Sequence, residues 1–223
     1  MALKAVFFDM DGLVIDSERP CYEVDRKILK KWGYDLTTDQ YAHLCGMRGD
    51  EIRVAMRKMF PDLDIDEYNR EFASQFQKEV LSKPQDVKPG FFELERELSS
   101  RGIKKYIVTS SGKEHAEGSL TRAGIIGYFD MIIPGETVKR SKPAPDMYLH
   151  AQQAAGVARD ECLIFEDSIA GVGSAINAGI ACICVPDLVV PPQELTSKCL
   201  AVVDTLADAI PYLDRIPASG GKN

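Results

Sequence analysis

Four short runs of uninterrupted apolar or aromatic residues, each broken abruptly by polar side chains, leave this chain few folds to choose from. They are Ala5-Val-Phe-Phe, Tyr106-Ile-Val, Met131-Ile-Ile and Leu163-Ile-Phe. Strands that face water on one side alternate apolar with polar residues, whereas continuous β-branched and aromatic runs read as strands covered on both faces. From residue 91 onward, helical patterns alternate with such runs. Helices are expected at 91–100, 113–123, 145–155, 169–178 and 206–213, and strands at 106–108, 131–133, 163–165, 181–185 and 200–203. Gly102, Gly124 and Gly179 close three of the helices, and Pro145 opens another. Alternation of this kind implies an α/β fold with a parallel sheet and right-handed crossovers.

Residues 17–84 interrupt that pattern after the first strand. Tyr22, Ile28, Leu29 and Trp32 space a first helix, 39–47 offers a second, and Ile52, Ala55, Met56 and Met59 space a third that Pro61 stops. Tyr68, Phe72, Phe76 and Val80 line one stripe of a fourth over 66–83. The chain therefore divides into a core of residues 1–16 and 85–217, an all-helical insert of 17–84, and a disordered tail of 218–223. An insert that leaves the carboxyl end of a strand lies over the crevice where open α/β sheets bind ligands, so it is expected to act as a lid.

With 223 residues, 45% hydrophobic and 27% charged, the chain is expected to be a soluble globular protein. A net charge of −7 gives no basic face for nucleic acid, but it does not exclude a small anionic substrate. No segment approaches the ~20 apolar residues of a membrane span. The first residues enter the first strand directly, leaving no room for a signal peptide. Six scattered cysteines without a Cys-x-x-Cys pair do not read as a disulfide framework. A cytoplasmic, reduced protein is expected, with no membrane or nucleic-acid partner and a monomer as the working assumption.

The polar residues that end the apolar runs carry the chemistry. Asp9 and Asp11 follow the first run, and Thr109, Ser110 and Ser111 follow the second. Lys142, between Ser141 and two prolines, follows the third, and Glu166 and Asp167 follow the fourth. Carboxyl ends of parallel strands converge on one sheet edge, so these groups could meet. Carboxylates gathered there call for a hard cation such as Mg²⁺. Hydroxyls and free N–H groups at a helix entry suit phosphate oxygens. Each piece also has an ordinary reading: Asp-x-Asp-Gly as a turn, Thr109-Ser110 or Glu166-Asp167-Ser168 as a helix cap, Lys142 as a solvated loop residue.

Taken together and in order, Phe8-Asp-Met-Asp-Gly, Val108-Thr-Ser, Ser141-Lys-Pro-Ala-Pro-Asp and Phe165-Glu-Asp-Ser-Ile-Ala-Gly resemble motifs one to four of the haloacid dehalogenase-like (HAD) superfamily. The helical insert after motif one resembles its subfamily with a helical cap, which includes β-phosphoglucomutase and many sugar-phosphate phosphatases. The resemblance implies a Rossmann-like core, Mg²⁺ as cofactor and a small phosphorylated metabolite as substrate. It implies that Asp9 is the nucleophile that becomes an aspartyl phosphate and Asp11 the general acid and then base. Thr109 or Ser110 would bind phosphate and Lys142 would stabilise its charge. Asp9, Asp167, Glu166 and Asp11, the last through its backbone carbonyl, form the expected metal set. Arg48, in the turn Gly46-Met-Arg-Gly, is the candidate for contact with the leaving group, with Glu18 and Ser111 beside it.

The departures from the family pattern narrow the expectation. Asp11 argues against halide release, because an alkoxide needs an acid and a halide does not. Ser17-Glu-Arg-Pro-Cys-Tyr has no histidine where β-phosphoglucomutases carry one, and His43, His115 and His150 are expected on helices or the surface. The expected activity is therefore a Mg²⁺-dependent phosphatase of sugar or nucleoside phosphates. The alternatives are a β-phosphoglucomutase-like isomerase and a non-catalytic phosphometabolite sensor.

Overall fold

A computed structural model describes residues 2–216. Six parallel strands lie in the order β3-β2-β1-β4-β5-β6: β1 Ala5–Phe8, β2 Lys104–Val108, β3 Met131–Ile133, β4 Cys162–Glu166, β5 Ala181–Cys184 and β6 Ala201–Val202. Between β1 and β2 stand α1 Glu18–Lys31, α2 Thr38–Ala42, α3 Gly49–Met59 and α4 Ile65–Phe76, the last continuing into a π turn at Gln77–Leu81. The crossovers of the core carry α5 Phe91–Ser100, α6 Lys113–Arg122, α7 Asp146–Ala155 and α8 Ile169–Ala178, with a short α9 Gln193–Thr196 before β6.

The expectation of strands covered on both faces holds for Ala5–Phe8, 106–108 and 163–165 but not for the edge strand β3, whose Met131 is exposed, and β1 shows why. Val6 and Phe8 point into a cluster with Phe91, Leu94 and Leu98 of α5 and Leu120 of α6. Ala5 and Phe7 point the other way, into a cluster with Met147, Tyr148 and Ala151 of α7 and Val172 of α8. Successive side chains of a strand face opposite sides, so a strand between two helical layers must be apolar at every position. The helices of 17–84 have their own core, in which Val24, Ile28 and Leu29 of α1 meet Met56, Tyr68 and Val80.

The two passages between this helical block and the sheet are paired. The Asp16 N–H donates to the Asp86 carbonyl and the Lys88 N–H to the Val14 carbonyl, each at 2.9 Å, with Ile15 bridging antiparallel to Val87. Entry and exit thus run side by side next to the carboxyl end of β1.

Some boundaries differ from expectation. The helix expected over 39–47 ends at Ala42, and that over 66–83 gives way to the π turn. The last helix, expected over 206–213, is a 3₁₀ stretch at Ala207–Tyr212 that contains Pro211, a residue without the N–H an α-helix needs. All six cysteines are free. No helix among the described residues is long and apolar enough to cross a membrane. The tail expected to be disordered, 218–223, lies outside the described residues.

Candidate active site

In an open parallel sheet, ligands bind beyond the carboxyl ends of strands where the order reverses direction. Here that point lies between β1, whose crossover leads to β2, and β4 on its other side. Phe8 is in register with Phe165, and the Asp9 N–H donates to the Phe165 carbonyl at 3.1 Å. Asp9 therefore leaves β1 beside Glu166 and Asp167 leaving β4. One ligand atom from each of these three buried carboxyls lies within 4.8 Å of the others.

Lys142 is the positive charge in this cluster. Its Nζ donates to Asp9 Oδ1 at 2.5 Å, to Glu166 Oε1 at 2.6 Å and to the Val108 carbonyl at 3.2 Å. Burial opposes its charge, but Asp9 and Glu166 outweigh burial and hold the ammonium above its ordinary pKa. Glu166 is fully enclosed. Tyr148 donates to its Oε1 at 2.5 Å, and Oε2 takes the N–H groups of Asp167 and Ser168 and the Ser168 hydroxyl. A side chain at position 171 would overlap it, since a Cβ there would stand 1.9 Å from the carboxyl, so only glycine lets α8 begin so close. With its oxygens so engaged, Glu166 positions Lys142 more than it offers a free ligand atom.

The negative charge is not balanced. Burial pushes Asp9 and Asp167 above the carboxylate range, and their neighbouring carboxylates push them further while Lys142 opposes. Asp167 Oδ1 is buried without a hydrogen-bond partner. Asp9 and the orphaned oxygen of Asp167 offer hard oxygen donors that a divalent cation would take up, and such an ion would reverse the direction of these shifts. Gly12, at φ +81°, brings the loop after β1 against this group, and a Cβ there would stand 2.5 Å from Asp167 Oδ2.

Asp11 does not join the carboxyl cluster. Its Oδ1 accepts from the Ser17 hydroxyl at 2.7 Å, and its Oδ2 from Ser111 at 2.8 Å and from Thr109 at 3.5 Å. Three hydroxyls, one from the start of the helical block and two from the loop after β2, thus hold this carboxyl away from the metal-type group. Of the expected metal set, Asp9, Glu166 and Asp167 come together, and the side chain of Asp11 turns elsewhere.

Beyond Asp11 a cavity of about 240 Å³ opens between sheet and helical block, and Asp9, Asp11, Thr109, Ser110, Ser111 and Glu18 all line it. Ser110 bridges the two layers by donating to the Gly46 carbonyl at 2.6 Å. Glu18 accepts from Tyr41 at 2.9 Å, and burial, with the charge of Asp11, pushes it up to about 7. Arg48, expected against the leaving group, is placed otherwise and does not line the cavity. Its guanidinium donates to the carbonyls of Val138 at 3.2 Å and Lys139 at 2.7 Å, tying the start of α3 to the core. A turn between helices can aim a long side chain either way, and here two unpaired carbonyls take it. His115 is on a helix, as expected, and also lines the cavity, stacked on Phe76.

Sequence reasoning missed Tyr148, Asp25 and the holding role of Ser17. Glu18, Cys21 and Asp25 at i, i+3 and i+7 were a readable stripe, whereas nothing local marks Tyr148.

The sequence pattern of the haloacid dehalogenase-like hydrolases matches residues 6–185. A "Phosphorylated carbohydrates phosphatase" of Thermotoga maritima is 30% identical over 178 residues, 80% of this chain and 82% of that protein. A Drosophila melanogaster protein named "Probable pseudouridine-5'-phosphatase" is 30% identical over 218 residues, 95% of this chain and 93% of its own. In fold, a β-phosphoglucomutase from Clostridium difficile superposes with a TM-score of 0.76 at 24% identity, over 96% of each chain.

Proposed function

We propose, from the premise that this chain belongs to the haloacid dehalogenase-like hydrolases, that it is a Mg²⁺-dependent phosphatase of small phosphomonoesters, sugar or nucleoside phosphates, working through an aspartyl phosphate. The observation that carries the reading is Asp9, buried at the reversal point of the sheet, bonded to Lys142 and opening onto the same cavity as Asp11. The phosphatase names of the two relatives support the reaction class.

In this reading an Asp9 carboxylate oxygen attacks phosphorus, and the bond to the leaving alcohol oxygen breaks as Asp11 gives that oxygen a proton. Asp11 then takes a proton from water, whose oxygen attacks the aspartyl phosphate, releasing phosphate and restoring Asp9. Lys142, at 2.5 Å from Asp9, offsets charge on both nucleophile and phosphoryl group. Thr109 and Ser110, with the N–H groups at the entry to α6, receive phosphate oxygens. Ser17 and Ser111 fix the carboxyl of Asp11 over the leaving oxygen. Mg²⁺ would be held by Asp9, Asp167 and the backbone carbonyl of Asp11, supplying charge neutralisation at the phosphate oxygens. Residues 17–84 serve as a cap domain over a core of 1–16 and 85–217, and we take the enzyme to act as a cytoplasmic monomer.

Asp9→Asn is the direct test. With Mg²⁺ and p-nitrophenyl phosphate, the wild type releases phosphate and the variant loses at least about a thousandfold in kcat, the scale of removing an essential nucleophile. Unchanged turnover would refute the covalent route. With β-glucose 1-phosphate, isomer formed without phosphate release would favour the isomerase, and binding without turnover would favour the sensor.

A further inference from the structure

Along α1, Glu18, Cys21 and Asp25 face the cavity at i, i+3 and i+7, one stripe of the helix. At 1.5 Å per residue the stripe runs about 10 Å away from Asp11, the length of a sugar or nucleoside beyond its phosphate. Each carboxyl accepts from a phenol that also lines the cavity: Tyr41 donates to Glu18 at 2.9 Å, and Tyr68 donates to Asp25. A carboxylate accepts about four hydrogen bonds, so both keep capacity for a ligand. Leu44, Met47, Ile52 and Phe72 supply apolar surface in the same cavity. Among the described residues no Lys or Arg lines it, and His115 is its one basic side chain. Arg48, between the lining residues Met47 and Gly49, is engaged by two core carbonyls.

We propose that Glu18 and Asp25 form a leaving-group sieve, which accepts phosphomonoesters of neutral, hydroxyl-rich alcohols and rejects those that carry a second phosphate or a carboxylate. Hydroxyl groups donate charge-assisted hydrogen bonds to these carboxylates. A second anion would be stripped of water beside two like charges with no Lys or Arg to pair it. The inference rests on the phosphatase reading and deepens it. It also separates the reading from an isomerase that moves phosphate between two positions of a sugar, because such an enzyme must hold a bisphosphate in transit.

The test uses the full chain with Mg²⁺ at pH 8 and two matched pairs, glycerol 3-phosphate against 3-phosphoglycerate and fructose 1-phosphate against fructose 1,6-bisphosphate. p-Nitrophenyl phosphate is the reporter of the site itself. The neutral member of each pair is expected to have the higher kcat/KM by at least about tenfold, the effect of one screened like-charge contact. In Glu18→Gln with Asp25→Asn, which keep the acceptors for Tyr41 and Tyr68, that ratio narrows by about tenfold. A thermal melt establishes that the double variant is folded. Equal or better turnover of the anionic members by the wild type, with Asp9-dependent reporter activity, overturns the sieve and leaves the phosphatase reading standing. So does an unchanged ratio in a folded double variant. Absence of any reporter hydrolysis by the wild type overturns both.

Discussion

Asp25 gives a test of the cavity that needs neither metal nor substrate. Its side chain is buried on α1, takes a hydrogen bond from Tyr68, and is pushed up to about 7 by burial, which outweighs that bond. The unfolded value is near the ordinary 3.8. Between these two values the folded chain keeps a proton that the unfolded chain has released. Stability from this group is therefore fully present below the lower value and is lost as pH rises through the upper one. From pH 5 to pH 8 only the folded carboxyl is protonated over roughly two units, so at 1.36 kcal/mol per unit the loss is about 2.5 kcal/mol. Asp25→Asn keeps an acceptor for Tyr68 and removes the titration. Thermal and denaturant unfolding of both proteins at the two pH values measures the difference between them. That difference is expected to move by about 2.5 kcal/mol in favour of the variant as pH rises, or about 5–10 °C in Tm for a chain of this length. A difference constant to within about 0.5 kcal/mol, the scatter of such comparisons, would show that burial does not resist ionisation of Asp25 and that the cavity is wetter than its walls imply.

Three further outcomes follow from the site. Gly171→Ala drives a methyl into the carboxyl of Glu166 and is expected to cost about 3 kcal/mol or more, read as a lowered Tm. Tyr148→Phe removes one donor from the enclosed Glu166 and is expected to cost about 1–3 kcal/mol in equilibrium unfolding. Because Lys142 still bridges to Asp9, activity should fall without vanishing in a phosphate-release assay. Mg²⁺ at a hundredfold excess over its Kd should stabilise the wild type by about 2.7 kcal/mol against heat, and Asp167→Asn should abolish that shift. An equal shift in the variant would place the ion elsewhere.

Much of the site was readable because its residues stand where strands must stop. An apolar run that ends in a carboxyl marks a strand's carboxyl end, and in a parallel sheet those ends share one edge. Asp9, Thr109, Glu166 and Asp167 were therefore nameable from the strand ends, whereas Lys142, nine residues beyond β3, was named by its Ser-Lys-Pro-Ala-Pro-Asp motif. Less legible were the groups that only support them. Tyr148 lies in the first turn of α7 and is marked by nothing but the depth of its burial beside Glu166. The 3₁₀ turn at Ala207–Tyr212 kept a helical spacing while Pro211 removed the donor an α-helix needs.

By itself the sequence determined the periodicities: continuous apolar strands, amphipathic helices, an insert between the first strand and the second, and the chemistry at each strand's end. These are local properties, set by which faces must be covered and where the backbone turns. Only the tertiary structure decided the order β3-β2-β1-β4-β5-β6 that sets Asp9 beside Asp167. It also decided that Asp11 is held by Ser17 and Ser111 apart from the carboxyl cluster, and that Arg48 turns to Val138 and Lys139 while Glu18 and Asp25 face the cavity. Those outcomes depend on how the helical block docks over the sheet edge. Apart from Ser17 and Asp11, six residues apart, the partners there are 23 to 100 residues apart along the chain, and no local pattern encodes which of two unsatisfied groups a side chain meets.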